Sequence, residues 1–195
     1  ISSSTLQNKK LELTAFRPDG TRKSITNYDE KGLAEGQETY YFHSGALSEI
    51  NNYKQGNLDG TSKGYFANGK PSVEINYSNG KKDGYYRSWY IHGSLQREGR
   101  YVADQAQGQW NSYDELGNLA ARTNYYNDDL HGFKEEFWPN GKKESETEYQ
   151  YGWIKKFTQF DTSGRLIQTL DLHTGTGPFT LLHLNGKKSV EGKYE

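Results

Sequence analysis

Glycines recur along this chain at a fixed interval of 24 residues, and that interval confines the fold to a repeat architecture. Gly45, Gly69, Gly93, Gly117 and Gly141 form one series; Gly36, Gly60, Gly84, Gly108 and Gly132 form a second. Two aromatic series keep the same period: Tyr53, Tyr77, Tyr101, Tyr125 and Tyr149, and Tyr41, Tyr65, Trp89, Tyr113 and Phe137. Four registers in step define residues 36–155 as five regular repeats. Outside them the pattern loosens. Gly20 precedes Tyr28 and Gly186 precedes Tyr194 by the same eight residues that separate Gly45 from Tyr53, whereas Gly164 leads to Leu172. Residues 1–35 therefore read as an N-terminal tether and degenerate capping repeat, and 156–195 as degenerate C-terminal repeats and a cap. The whole forms a single repeat domain with atypical ends.

Within one unit, residues 60–84, the local signals are those of two strands. Asn68-Gly69 is a type I′ hairpin signal between the strand-like stretches 63–67 and 72–77. Asn79-Gly80 and Asp83-Gly84 then turn the chain into the next unit. No segment of ten or more residues carries a 3.6-residue apolar period, so helix is minor. The expected fold is all-β: tandem 24-residue β-hairpin repeats forming an elongated, twisted antiparallel meander of about sixteen short strands.

Composition says what fills such a sheet. The 16 Tyr, 8 Phe and 4 Trp outnumber the 26 Leu, Ile and Val combined, which suits a thin, half-wet layer in which rings pack while hydroxyls reach water. Mean hydropathy is -1.05, and no stretch approaches the roughly 18 apolar residues of a membrane-spanning helix. With 24 Lys+Arg against 25 Asp+Glu and no basic run longer than two, broad electrostatic binding to nucleic acid is not expected. Zero Cys removes thiol chemistry. The polar opening Ile1-Ser-Ser-Ser4, without Met, reads as the tether of an exported, periplasmic or envelope-anchored chain.

Alternation along a strand assigns adjacent aromatics to opposite faces. The Tyr53 series shares parity with Leu47, Leu95, Leu119, Val73 and Ile75, while Asn52, Asn76, Arg100, Asn124 and Glu148 take the other side. The Tyr41 and Tyr53 ladders are accordingly placed together on an apolar, packed face. The neighbouring ladder of Phe42, Phe66, Tyr90 and Trp138 falls on the polar side, either covered by adjacent repeats or free as an aromatic binding stripe. Trp110 and Trp153 stand outside both ladders, where a repeat protein can hold specificity. These six rings are the candidate partner-binding residues.

Catalytic constellations are not expected. The histidines, His43, His92, His131, His173 and His183, occupy unrelated repeat positions, and no nucleophile elbow, P-loop or dinucleotide fingerprint occurs. Asp128-Asp129-Leu130-His131 is the one compact acid–His group, and it falls in an inter-unit turn where Asp serves turn geometry. No metal or cofactor is expected. Glu144, Glu146 and Glu148 alternate onto one strand face, offset by Lys142 and Lys143; they read as a solvated mixed-charge face or as an acidic docking patch.

The unit resembles the variant MORN repeat, in the branch found in bacterial YwqK-like antitoxins. The matching pattern, G-x4-[YFW]-[FYW]-x-x-G followed by Y-x-x-G-x-x-x-G, is clearest at residues 60–84 and extends over about 36–155. It departs from the standard MORN core, Y-x-G-x-[WF]-x-x-G. The resemblance implies a non-catalytic protein–protein interaction module, in its sharpest form an antitoxin or immunity protein that occludes a cognate toxin. The alternative it implies is an envelope- or lipid-associated structural module, and aromatic stripes beside Asn and Asp admit, as a weaker alternative, a carbohydrate-binding repeat.

Overall fold

The computed structural model describes residues 11–172, 177–183 and 187–194. The tether residues Ile1–Ser4, His173 and the Asn185-Gly186 turn lie outside them. Among the described residues there are seventeen strands, where the sequence suggests about sixteen, and no helix. The chain divides into two compact units, residues 1–95 with 101–104 and residues 96–100 with 105–195.

The first unit holds β1 (Leu11–Phe16), β2 (Arg22–Tyr28), β3 (Ala34–Tyr41), β4 (Leu47–Lys54), the two-residue β5 (Asn57–Leu58), β6 (Gly60–Tyr65), β7 (Pro71–Ser78) and β8 (Lys81–Trp89). Strand β9 (Leu95–Val102) contributes to both. The second unit holds β10 (Gln105–Tyr113), β11 (Leu119–Tyr126), β12 (Asp129–Phe137), β13 (Lys143–Gln150), β14 (Trp153–Phe160), β15 (Leu166–Asp171), β16 (Gly177–Leu182) and β17 (Lys188–Tyr194). Strands β1 to β15 pair in sequence order in one antiparallel sheet, with β5 a side branch on β4; among the described residues β16 and β17 form a separate two-stranded sheet.

Two turn types alternate, and each explains its sequence. Within a repeat, Gly69 N donates to Phe66 O at 2.8 Å and Phe66 N to Lys70 O at 2.8 Å, with positive φ at Gly69 alone. That is a type I turn closed by a glycine bulge, not the type I′ turn suggested by Asn68-Gly69. Asn68 instead uses its side chain, whose Oδ1 accepts from Lys70 N at 3.0 Å. The type I′ geometry belongs to the turns between repeats, where both central residues have positive φ: Gln55-Gly56, Asn79-Gly80, Ala103-Asp104, Asn127-Asp128 and Tyr151-Gly152.

A second irregularity decides the faces. In each hairpin the register slips by one residue near the turn, between Tyr40/Tyr41, Gly64/Tyr65, Ser112/Tyr113 and Glu136/Phe137. Tyr40 opposes Glu49, but Tyr41 opposes Leu47, so Ser48 is an extra residue on the second strand. Strict alternation carried past that bulge inverts the assignment. The Tyr41 and Tyr53 ladders consequently lie on opposite faces, a correction to the joint packed face that parity suggests. Tyr113 donates to Glu98 Oε1 at 2.9 Å and Phe137 lies 5.6 Å from the Arg122 guanidinium, on what we call the outer face. Tyr125 meets Trp110 edge-on at 6.2 Å on the inner face.

The inner face carries the buried residues, and it is polar. Among the described residues, Ser24, Thr26, Glu38, Asn51, Ser88, Ser145 and Thr147 are buried there, against Ala106 and Trp110 among hydrophobics, while buried Thr158 opposes Glu146 on the other face. Pairing keeps them on one side: Thr26 opposes Glu38, Glu38 opposes Asn51, and Thr147 opposes Lys134. A buried hydroxyl or carboxylate requires a partner, and Thr26 Oγ1 donates to Glu38 Oε1 at 2.8 Å.

Candidate functional site

The centre of the inner face is one repeat position read five times, Glu38, Ser62, Tyr86, Trp110 and Lys134, each 24 residues from the last; β14 is one residue shorter than β12, and Phe157 takes the place opposite Thr147 there. The backbone frame is constant and the side chain is not. In the second unit Trp110 fills this position. It is 2% exposed and lies flat over Gly99, where an added Cβ would stand 2.0 Å from the ring. The Arg97 guanidinium sits 4.6 Å from the Trp110 ring, and its Nη2 reaches the Tyr125 hydroxyl at 3.4 Å. Trp110 therefore serves packing and presents no ring to a partner.

In the first unit the same position holds Ser62, and a groove of about 520 Å³ opens there between β4, β6 and β7. Glu49, Asn51, Tyr53, Ser62, Ile75 and Tyr77 line it. Asn51 Nδ2 donates to Glu49 Oε1 at 2.7 Å. The Tyr53 hydroxyl is pushed up to about 12, by burial first and then by the charge of Glu38 and a hydrogen bond to it, with Tyr40 and Glu49 adding to the same direction. Tyr40 is raised for the same reasons, burial leading and Glu38 next. Ser62 Oγ is buried without a hydrogen-bond partner.

The second unit carries ion pairs on both faces. On the outer face Glu135 accepts from Arg122 Nη1 at 2.7 Å and pairs with Lys143 at 2.6 Å, and Lys143 also pairs with Glu146. On the inner face Glu136 pairs with Lys134 at 2.8 Å and accepts from Ser145 Oγ at 2.7 Å. Burial pushes both Glu135 and Glu136 upward, but the hydrogen bonds and charges of these partners outweigh it and hold both below the ordinary carboxylate value. Glu144 is raised, by burial and then by the charge of Glu136. The three alternating glutamates are thus differently employed: Glu146 is bridged by Lys143, while Glu144, the bulge residue of its strand, feels Glu136.

The remaining candidate rings sort by position. Phe42, Phe66, Tyr90 and Trp138 are half-buried at the starts of hairpin turns. Turns of successive repeats abut there: Asn68 and Lys70 side chains donate to the carbonyls of Ile91 and His92, and Asn140 and Lys142 to those of Thr162 and Ser163. Trp138 Nε1 donates to Phe160 O at 3.4 Å, and Tyr90 stacks on His92 at 5.6 Å. Trp153, in the second unit, is 64% exposed just beyond the Tyr151-Gly152 turn. In that second unit, exposed Tyr126 and Tyr151 and half-buried His131 form an aromatic cluster, His131 and Tyr151 lying 4.7 Å apart.

Asp128 Oδ1 accepts from Ala106 N at 2.7 Å, as a turn residue does. Among the described residues no group of three or more His, Asp or Glu is placed to hold a metal ion.

Sequence reasoning passed over Glu38, Asn51 and Ser62. The signal was available in the 24-residue register, where Ser62 replaces the large residue of the next two repeats, Tyr86 and Trp110.

The family model described as MORN repeat variant matches residues 58–79 and 130–151. The matches begin at 58 and 130, three 24-residue periods apart, so each falls on the same part of its repeat. These segments carry MORN-type repeats, consistent with a repeat-based binding module. No curated protein matches the sequence.

Proposed function

We propose that the chain is a non-catalytic protein-interaction module. The supporting observation is the constant frame of the repeat with a varying inner-face side chain, Glu38, Ser62, Tyr86, Trp110 and Lys134, which is what recognition of one particular partner requires. Its sharper form is an antitoxin or immunity protein that occludes a toxin, and the support for that form is the resemblance of residues 60–84 to the bacterial antitoxin branch. Affinity capture with the full chain from source cells tests it. The expected result is one protein recovered in stoichiometric amount, reconstituting as a complex from purified components and losing its own activity when bound. Turnover dependent on a residue of this chain would overturn the reading.

A second reading, direct lipid association, draws support from the exposed aromatics Tyr126, Tyr151 and Trp153 of the second unit. Amphipathic rings of this kind favour a membrane interface. Co-sedimentation with zwitterionic and anionic vesicles separates the two, since a protein-binding module stays in the supernatant.

A further inference from the structure

The groove of the first unit exists because two small residues stand where later repeats have larger ones. Ser62 occupies the position of Tyr86 and Trp110, and Gly64 that of Ser88 and Ser112. Gly64 is held small by its surroundings, as an added Cβ would meet Val73 Cγ1 and Ser72 Oγ at 2.9 Å. The opening has the size of a ligand site, which runs from about 300 to 1,000 Å³. Its floor is apolar, from Val73, Ile75 and Leu58, and its walls carry the Tyr53 and Tyr77 rings.

Charge sets what fits. Glu49 lies on the wall, and Glu38, only 8% exposed, is across the β3–β4 pairing from Asn51. Among the described residues neither carboxylate is ion-paired with Lys or Arg. The lysine on the lining, Lys63, is already directed to Glu74 at 3.6 Å. A buried carboxylate held only by hydroxyls leaves an uncompensated negative potential. Ser62 Oγ, buried and without a hydrogen-bond partner, is a further polar atom at the lining. An aliphatic stem ending in a cation satisfies all of these at once: methylenes on Val73 and Ile75, a charged head toward Glu49 and Glu38, and Tyr53 or Tyr77 for a cation–π contact.

We propose that this groove receives an arginine or lysine side chain of a partner polypeptide. The inference rests on the interaction reading above and gives that reading a specific contact.

The probe is a blocked Gly-Arg-Gly tripeptide titrated into the isotope-labelled full chain and followed by backbone amide shifts, with Gly-Lys-Gly alongside and Gly-citrulline-Gly as the neutral isostere. Saturable shifts are expected at residues 49–53, 62–64 and 73–77, with the citrulline peptide at least about tenfold weaker, as loss of a charge-assisted hydrogen bond predicts. Rising salt should weaken the cationic peptides. Glu49→Gln, at an exposed position, should cost about tenfold in affinity. Ser62→Tyr installs the residue that the next repeat carries at this place and should abolish binding while the urea midpoint is kept. Equal binding of the citrulline peptide, binding untouched by Ser62→Tyr, or no saturable shift by roughly 10 mM peptide, well above the millimolar range of a weak contact, would each overturn the proposal. A captured protein partner that binds the Ser62→Tyr chain as well as wild type would remove the groove and leave the interaction reading standing. Tripeptide binding without any captured protein would do the reverse.

Discussion

Trp110 is the clearest case of a single side chain fitted to its neighbour, because the ring occupies the space that Gly99 leaves by having no Cβ. Truncation to Trp110→Ala removes a ring that is 2% exposed and should cost about 3–5 kcal/mol in urea denaturation. Gly99→Ala places a methyl 2.0 Å from the ring and should cost about 1–3 kcal/mol through overpacking. The two should not add: in a Trp110→Ala background the alanine at 99 should be close to neutral, and additive losses would show that the contact is not what holds the glycine. The pair was half visible in the sequence. Trp110 stands outside both aromatic ladders, but only the folded structure puts Gly99 beside it, and so the ring reads as a candidate for partner binding. Ser62 is the converse case. A small polar residue draws no attention until its counterparts one and two periods on, Tyr86 and Trp110, are set beside it.

At the scale of the hairpin, the turns were legible and the faces were not. Asn-Gly, Asp-Gly and Ser-Gly pairs locate the intra-repeat turns, yet the one-residue bulge at Ser48 and its equivalents carries no residue signature, and it reverses which side the Tyr41 ladder takes. The outer face gained by that reversal holds Glu135 between Arg122 and Lys143, and its titration has a predictable sign. Its native carboxyl sits below the ordinary value near 4.5, so the unfolded chain takes up this proton first as the pH falls. The stabilisation is therefore complete at neutral pH and is lost as the medium is acidified below about 5. Glu135→Gln should lower stability at pH 7 by about 1.5 kcal/mol, the low end for hydrogen bonds to a charged group because the Arg122 and Lys143 side chains remain about a third exposed. The gap from wild type should shrink toward pH 3 in urea midpoints measured across that range. Glu136, depressed in the same way through Lys134 and Ser145, keeps some acid dependence in the variant. A gap that stays constant with pH would mean that the amide merely packs worse.

For the whole molecule, the period was the strongest statement the sequence made, since four residue series in step leave no other architecture, and the sheet in chain order follows from it. A repeat sheet of this kind should tolerate loss of one full period, because stability is approximately a sum over repeats and their neighbours. Deleting residues 36–59 joins Glu35 directly to Gly60 and brings β6 to the place of β3, so that Ser62 and Gly64 meet Thr26 and Ser24 where Glu38 and Tyr40 did before. The shortened chain should retain its β-sheet circular dichroism and a cooperative urea transition at a lower midpoint. Deleting residues 42–53, half a period, removes β4 and presents β6 parallel to β3, a pairing that needs a crossover of a dozen or more residues, so this chain should fail to fold. The full-period deletion also discards Glu38, Glu49, Asn51 and Tyr53, and with them the acidic wall of the groove. It should therefore be folded and unable to bind the arginine tripeptide. A folded deletion that still binds would place the cation site elsewhere on the molecule, and a deletion that unfolds while the half-period one survives would mean that the repeats are not interchangeable in register.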